Sequence, residues 1–124
     1  MSTFSVPVFH LENVIPHPNA DRLELAVVEG FRVVVAKGQF APNDLVAYLP
    51  EGSVLPEALI EELNLTGHLA GSRKNRIKAV KLRGELSQGV LMHAHKNWSD
   101  GDEVSQVLGV EKYIPPIPVA LAGE

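Results

Sequence analysis

The feature that most limits what this chain can fold into is the shortness of its apolar runs. Ten glycines and nine prolines, with Asn and Asp beside them, interrupt the sequence every few residues. No run approaches the roughly eighteen apolar residues that a membrane span needs. Only one stretch has room for an amphipathic helix. A chain punctuated this often builds short strands joined by tight turns. At 124 residues it is long enough to bury one core.

The run from Phe4 to Val14 alternates imperfectly and stops at Ile15-Pro16-His17-Pro18-Asn19-Ala20-Asp21, where two prolines and an Asn predict a rigid loop. Leu23 to Val28 and Phe31 to Ala36 follow as strands, with Glu29-Gly30 as a hairpin connection. Val33, Val34 and Val35 are β-branched and favour the strand. Ala41 to Asp44 is a turn, Leu45 to Leu49 a strand, and Pro50-Glu51-Gly52-Ser53 ends it. Pro56 to Leu63 carries the helix signals. Pro56 suits the first turn, Glu57 favours the positive end, and Leu59, Ile60 and Leu63 form one apolar face. Strands resume at Arg76 to Leu82 and at Gly89 to Ala94, and Gly101 to Val104 could open a short final helical turn. The prolines of Ile114-Pro115-Pro116-Ile117-Pro118 exclude regular helix or central strand there. The pattern therefore predicts an all-β domain with one short helix. The fold expected is an OB-fold, a five-stranded Greek-key barrel whose helix lies between the third and fourth strands. An SH3-like barrel or small sandwich would give a similar strand count.

Cysteine is absent, which removes disulfides, thiolate zinc sites and thiol nucleophiles together and suits a cytoplasmic protein. The opening MSTFSVPVFH has neither the basic nor the apolar region of a secretory signal. The net charge of −4 argues against a nucleic-acid coat, yet binding responds to the local field. Six of the eleven Lys and Arg fall between Arg73 and Arg83, with no Asp or Glu among them. On an extended strand Arg76 and Lys78 share a face. A bulge near Ala79-Val80 would bring Lys81 and Arg83 onto it, with Arg73 and Lys74 on the loop beside it. Such a strip suits backbone phosphates. The competing reading is a solvated strand whose lysines keep an edge from aggregating. Phe31, Phe40 and Trp98 lie at or near loops and are candidates for base stacking, with core packing as the alternative.

Lys81-Leu82-Arg83-Gly84 has the K-x-x-G spacing of the reactive lysine in nucleotidyltransferases. Arg83 stands where ligases and capping enzymes carry Asp or Asn, and too little chain follows for such a domain. No catalytic residue is assigned. His93 and His95 share a strand face in a spacing known from metal sites, but no suitably spaced carboxylate follows and no metal is assigned.

Two resemblances sharpen this. His17-Pro18-Asn19-Ala20-Asp21-Arg22-Leu23, then Val34-Val35-Ala36-Lys37-Gly38 and Arg83-Gly84-Glu85-Leu86-Ser87-Gln88-Gly89-Val90-Leu91, resemble the tRNA-binding OB domain of the phenylalanyl-tRNA synthetase β-subunit. Lys37 joins the candidate cations. A match along nearly the whole chain includes Phe31 to Lys37, Asp44 to Pro56, Arg76 to Gly84 and Leu108 to Pro118. It resembles the N-terminal domain of the nick-sealing RNA ligases of the Deinococcus radiodurans and Naegleria type. That resemblance implies an OB domain over residues 1–118, with 119–124 as a linker toward an absent C-terminal nucleotidyltransferase domain, the chain being one part of a longer protein. It implies no cofactor in this chain, but ATP and a divalent metal for the full-length ligase. The implied partner is nicked duplex with RNA at the 3′-OH end, sealed to a 5′-phosphate. A module for tRNA or other structured RNA, or a protein–protein OB module, are the alternatives. No membrane partner is expected.

Overall fold

The computed structural model describes residues 4–28, 31–71 and 73–113. Ten strands and two helices follow in chain order: β1 (Val8–His10), β2 (Asn13–Pro16), β3 (Leu23–Val28), β4 (Phe31–Ala36), β5 (Leu45–Leu49), β6 (Ser53–Val54), α1 (Glu57–Glu62), β7 (Val80–Leu82), β8 (Glu85–Ser87), β9 (Val90–His93), α2 (Ser105–Leu108) and β10 (Glu111–Lys112). The expected strands at 23–28, 31–36 and 45–49 form as the valine-rich pattern requires. The Glu29-Gly30 connection lies outside the described residues, and the strands flanking it pair through Val28↔Phe31. The Ile114–Pro118 segment and the stretch 119–124 also lie outside them.

The expected barrel does not form. The strands divide into four small antiparallel sheets, β1-β5-β9, β2-β3-β4, β7-β8 and β6-β10, and among the described residues none closes into a barrel. The cause is the punctuation itself. Leu11-Glu12 separates β1 from β2, Pro50 ends β5, and proline has no N–H to extend a ladder. Where a fourth barrel strand was expected, 75–77 makes scattered bonds only. The Leu55 N–H donates to Asn75 O at 2.9 Å and the Ile77 N–H to Ser53 O at 2.8 Å. Regular pairing begins again at Val80.

The helix count also changes, from one to two. The helix α1 lies where Pro56 and the Leu59/Ile60 face placed it, with Pro56 extended at its N-cap. The second, α2, is a single turn just past Val104. It ends at Gly109, whose φ of 73° supplies the left-handed stop. Glu103 braces its start, accepting from the N–H groups of Val6 (2.7 Å) and Ser105 (3.0 Å) and from the Ser105 hydroxyl (2.9 Å). Burial alone would raise the Glu103 carboxyl, but these three bonds outweigh it and hold the group below its ordinary value.

Two apolar clusters flank β5. Val46 and Tyr48 face one, with Phe40 and Leu91. Ala47 and Leu49 face the other, with Leu59, Ile77 and Trp98. Alternate residues of a strand point to opposite faces, so this one strand serves both cores. Among the described residues no helix is long and apolar enough to cross a membrane.

Candidate nucleic-acid interface

The loop His17 to Arg22 and the β7–β8 hairpin are distant in sequence and locked together in space. His17 is 5 % exposed. Its Nδ1 accepts the Asn19 N–H at 2.9 Å, so the proton sits on Nε2, which donates to the Leu82 carbonyl at 2.9 Å. Asn19 Nδ2 donates to the Arg83 carbonyl at 2.9 Å. Two side chains of one motif thus hold two successive carbonyls of the other, 65 and 64 residues away.

The first of those carbonyls opens a tight turn and the second lies within it. Leu82 pairs with Glu85, leaving Arg83-Gly84 as a two-residue connection in which both residues have positive φ, 55° and 88°. That is the I′ geometry, which matches the twist of the strands it joins. A Cβ at Gly84 would lie 3.4 Å from Asn19 Nδ2, so glycine also leaves room for the brace. Beyond the turn, β8 lies along β4. The Gln88 N–H donates to Arg32 O at 2.9 Å, and the Val34 N–H donates to the Ser87 hydroxyl at 3.0 Å.

Around this junction the fold gathers cations. Arg22 and Arg83 line one depression of about 390 Å³ together with Asn19 and Asp21. Lys37 lines a second of about 310 Å³ against the same loop, together with His17, Asp21 and Glu24. Lys81 stands exposed on β7, opposite Leu86. Arg22 was not among the candidates read from sequence, because it lies outside the basic run. Its place in the H-P-N-A-D-R-L motif was the available signal.

The rest of the basic run goes elsewhere. Arg73 and Lys74 border a depression of about 480 Å³ that also contains Glu57 and Glu61 of α1. The Arg76 guanidinium lies over the Tyr113 ring, 4.1 Å from its centroid. Lys78 is exposed in the connecting segment, next to the buried Ile77. The bulged strand that would have aligned Arg76, Lys78, Lys81 and Arg83 is not formed, since pairing covers only Val80–Leu82. Val80 and Leu82, which the expected bulge would have turned inward, are 47 % and 41 % exposed.

The three aromatic candidates separate as well. Phe40 and Trp98 belong to the two cores and stack on His93 and His95 at 4.4 and 4.2 Å. Phe31 remains at the surface, stacked on Tyr48 at 6.0 Å. His93 Nε2 hydrogen-bonds Gln39 O at 2.9 Å, and His95 Nε2 lies 3.5 Å from Glu62. Among the described residues no three His, Asp or Glu converge as a metal site.

With this geometry in place, the sequence matches the PHA02142 OB-fold domain over residues 6–94. The chain belongs to that OB-fold family. Membership stands at the level of the family, while the closed five-stranded ladder expected of it is absent from the described residues. This OB domain is similar to part of the Naegleria gruberi RNA ligase. The ligase structure with PPi aligns with a TM-score of 0.83 at 27 % identity, covering 99 % of this chain and 39 % of that one. A mutant apo form gives 0.81 at 25 %, covering 99 % and 39 %. A mutant with ATP and Mn gives 0.77 at 26 %, covering 92 % and 36 %. The OB domain therefore spans well under half the length of the ligase chains it matches. No curated protein matches its sequence.

Proposed function

We propose that this OB domain grips RNA around a nick on behalf of an ATP-dependent RNA ligase that joins a 3′-OH to a 5′-phosphate, and is not itself catalytic. The observation that carries the reading is the match of 99 % of the chain to 39 % of the Naegleria gruberi RNA ligase. ATP and Mn accompany some of those ligase structures. Among the described residues no acidic or histidine cluster converges to hold the metal, and Lys81 sits on an exposed hairpin. The lysine that reacts with ATP, and the metal, then belong to a nucleotidyltransferase domain that partners this one.

Arg22, Lys37, Lys81 and Arg83 around the braced turn form the primary contact, and Arg73, Lys74, Arg76 and Lys78, which stand off that turn, would meet phosphates elsewhere along the bound strand. Cations presented this way hold phosphates without reading bases. A preference for RNA would come from A-form shape and 2′-OH contacts. The gain to the reaction is orientation, since holding broken ends in register turns an encounter into a near-intramolecular step.

Titration of nicked duplex, its 3′-OH strand ending in RNA, across a range of salt tests this. Replacing Lys37, Lys81 and Arg83 together with Ala should weaken binding and lower the log–log salt slope by about one for each phosphate no longer held. An unchanged slope would remove these residues from the interface. Competition by tRNA stronger than by nicked duplex would favour the tRNA-binding reading. A domain that binds no nucleic acid at low salt would favour a protein partner.

A further inference from the structure

The cations lie at one end of β4. At its other end is a cleft that the phosphate-gripping reading leaves unused. This cleft, of about 430 Å³, is lined by Phe4, Phe9, Phe31, Tyr48 and Tyr113, with Glu51 and Lys112 also in its wall. Its size falls in the range of small-molecule sites, roughly 300–1,000 Å³. Its planes are fixed rather than adaptable. Tyr48 donates its hydroxyl to Gln88 O at 2.6 Å, and Phe31 stacks on Tyr48 at an interplanar angle of 21°. Tyr113 carries the Arg76 guanidinium over its ring. Phe31 is 43 % exposed and is the sole aromatic among the large exposed apolar side chains of the described residues.

We infer that this cleft receives one unpaired nucleobase of the RNA strand whose phosphates lie on Lys37, Lys81 and Arg83; the inference rests on the proposed function. A flat aromatic platform attracts bases of every kind, because each presents a π-face. Lys112 and Arg76 supply positive charge beside it for the attached phosphate, and Glu51 can accept from a base N–H edge. The span fits: Phe31 opens β4, Lys37 follows its end, and six strand residues extend about 17–20 Å, the reach of a few nucleotides of extended single strand. The domain would then hold a strand at both ends, by charge at the turn and by stacking at the cleft.

The test compares an RNA duplex carrying a short 3′ overhang of 2-aminopurine with the same duplex made blunt. Wild type should bind the overhang about tenfold more tightly and quench its fluorescence. Phe31→Ala, at an exposed site, should abolish that preference and the quenching while keeping affinity for the blunt duplex. Phe31→Tyr should restore both. An overhang preference that survives Phe31→Ala would overturn the inference and leave the phosphate grip standing. So would Phe31 ring resonances that do not move on RNA binding, since the cleft would then have another occupant. Wild type that binds neither duplex would remove the grip and the cleft together.

Discussion

Replacing His17 with Ala removes the pin between the two motifs, and the structure sets the size of the effect. The side chain is almost fully buried and makes two hydrogen bonds of 2.9 Å, one accepted from Asn19 N–H and one donated to Leu82 O. Each is worth about 1 kcal/mol net, and the partners left behind in a buried place add to the loss, so about 2–3 kcal/mol is expected. For a domain of this length that corresponds to a fall in Tm of roughly 10 °C. Asn19→Ala, which loses one exposed bond to Arg83 O, should cost about 1 kcal/mol or less. Thermal melts give the totals, and hydrogen exchange locates them. The amides of 80–87 should lose protection in His17→Ala, while those of β5 change only with global stability. Binding supplies an independent readout. If His17 acts by setting the turn, its effect on RNA affinity should shrink when Lys81 and Arg83 are already Ala, because groups that act as one unit are not additive. A His17→Ala protein that melts within about 2 °C of wild type, or whose hairpin amides keep their protection, would refute the reasoning.

Other substitutions probe the frame. At Gly89 a Cβ would lie 2.6 Å from the Tyr48 ring and 2.7 Å from Leu49 O, at a φ of 98°, so Gly89→Ala should cost about 3 kcal/mol or fail to fold, read by denaturant titration. The Glu103 carboxyl is depressed in the folded state, so its stabilisation is present above its ordinary value of 4.5 and is lost as pH falls through the folded value. Wild type should therefore lose stability more steeply than Glu103→Gln below about pH 4.5. At neutral pH the variant should be less stable by about 1 kcal/mol. Equal slopes in acid would show that the carboxylate does not brace α2.

What was legible in the sequence was local. The β3–β4 hairpin follows from valine-rich runs meeting at Glu29-Gly30, and α1 from Pro56 followed by a 3.6-residue apolar face; both need only neighbours within a few positions. The basic run misled because its backbone partners are remote. Arg76 bridges to Ala70 and Val54, and Tyr113 covers its guanidinium, so it leaves the line that Lys81 and Arg83 continue. Val80 and Leu82 look like core by composition, yet among the described residues no layer covers the hairpin they sit on. The brace from His17 needed the knowledge that residues 17 and 82 meet. The family motifs H-P-N-A-D and R-G-x-x-S were both visible, but nothing in either states that one grips the other. The closed barrel was a property of a fold name, whereas the short, proline-cut strands decide how far each ladder runs.

The strand β5 gives the domain its order of opening. Because Val46 and Tyr48 pack one way and Ala47 and Leu49 the other, its amides are released only when both cores come apart. They should be the slowest to exchange, at the free energy of global unfolding. The β7–β8 hairpin contributes no residue to either apolar cluster and is held by the His17 and Asn19 bonds and by β4, so its amides should exchange through a smaller opening than those of β5. On the proposed function, RNA would be seated and released at the turn while the scaffold behind it stays folded.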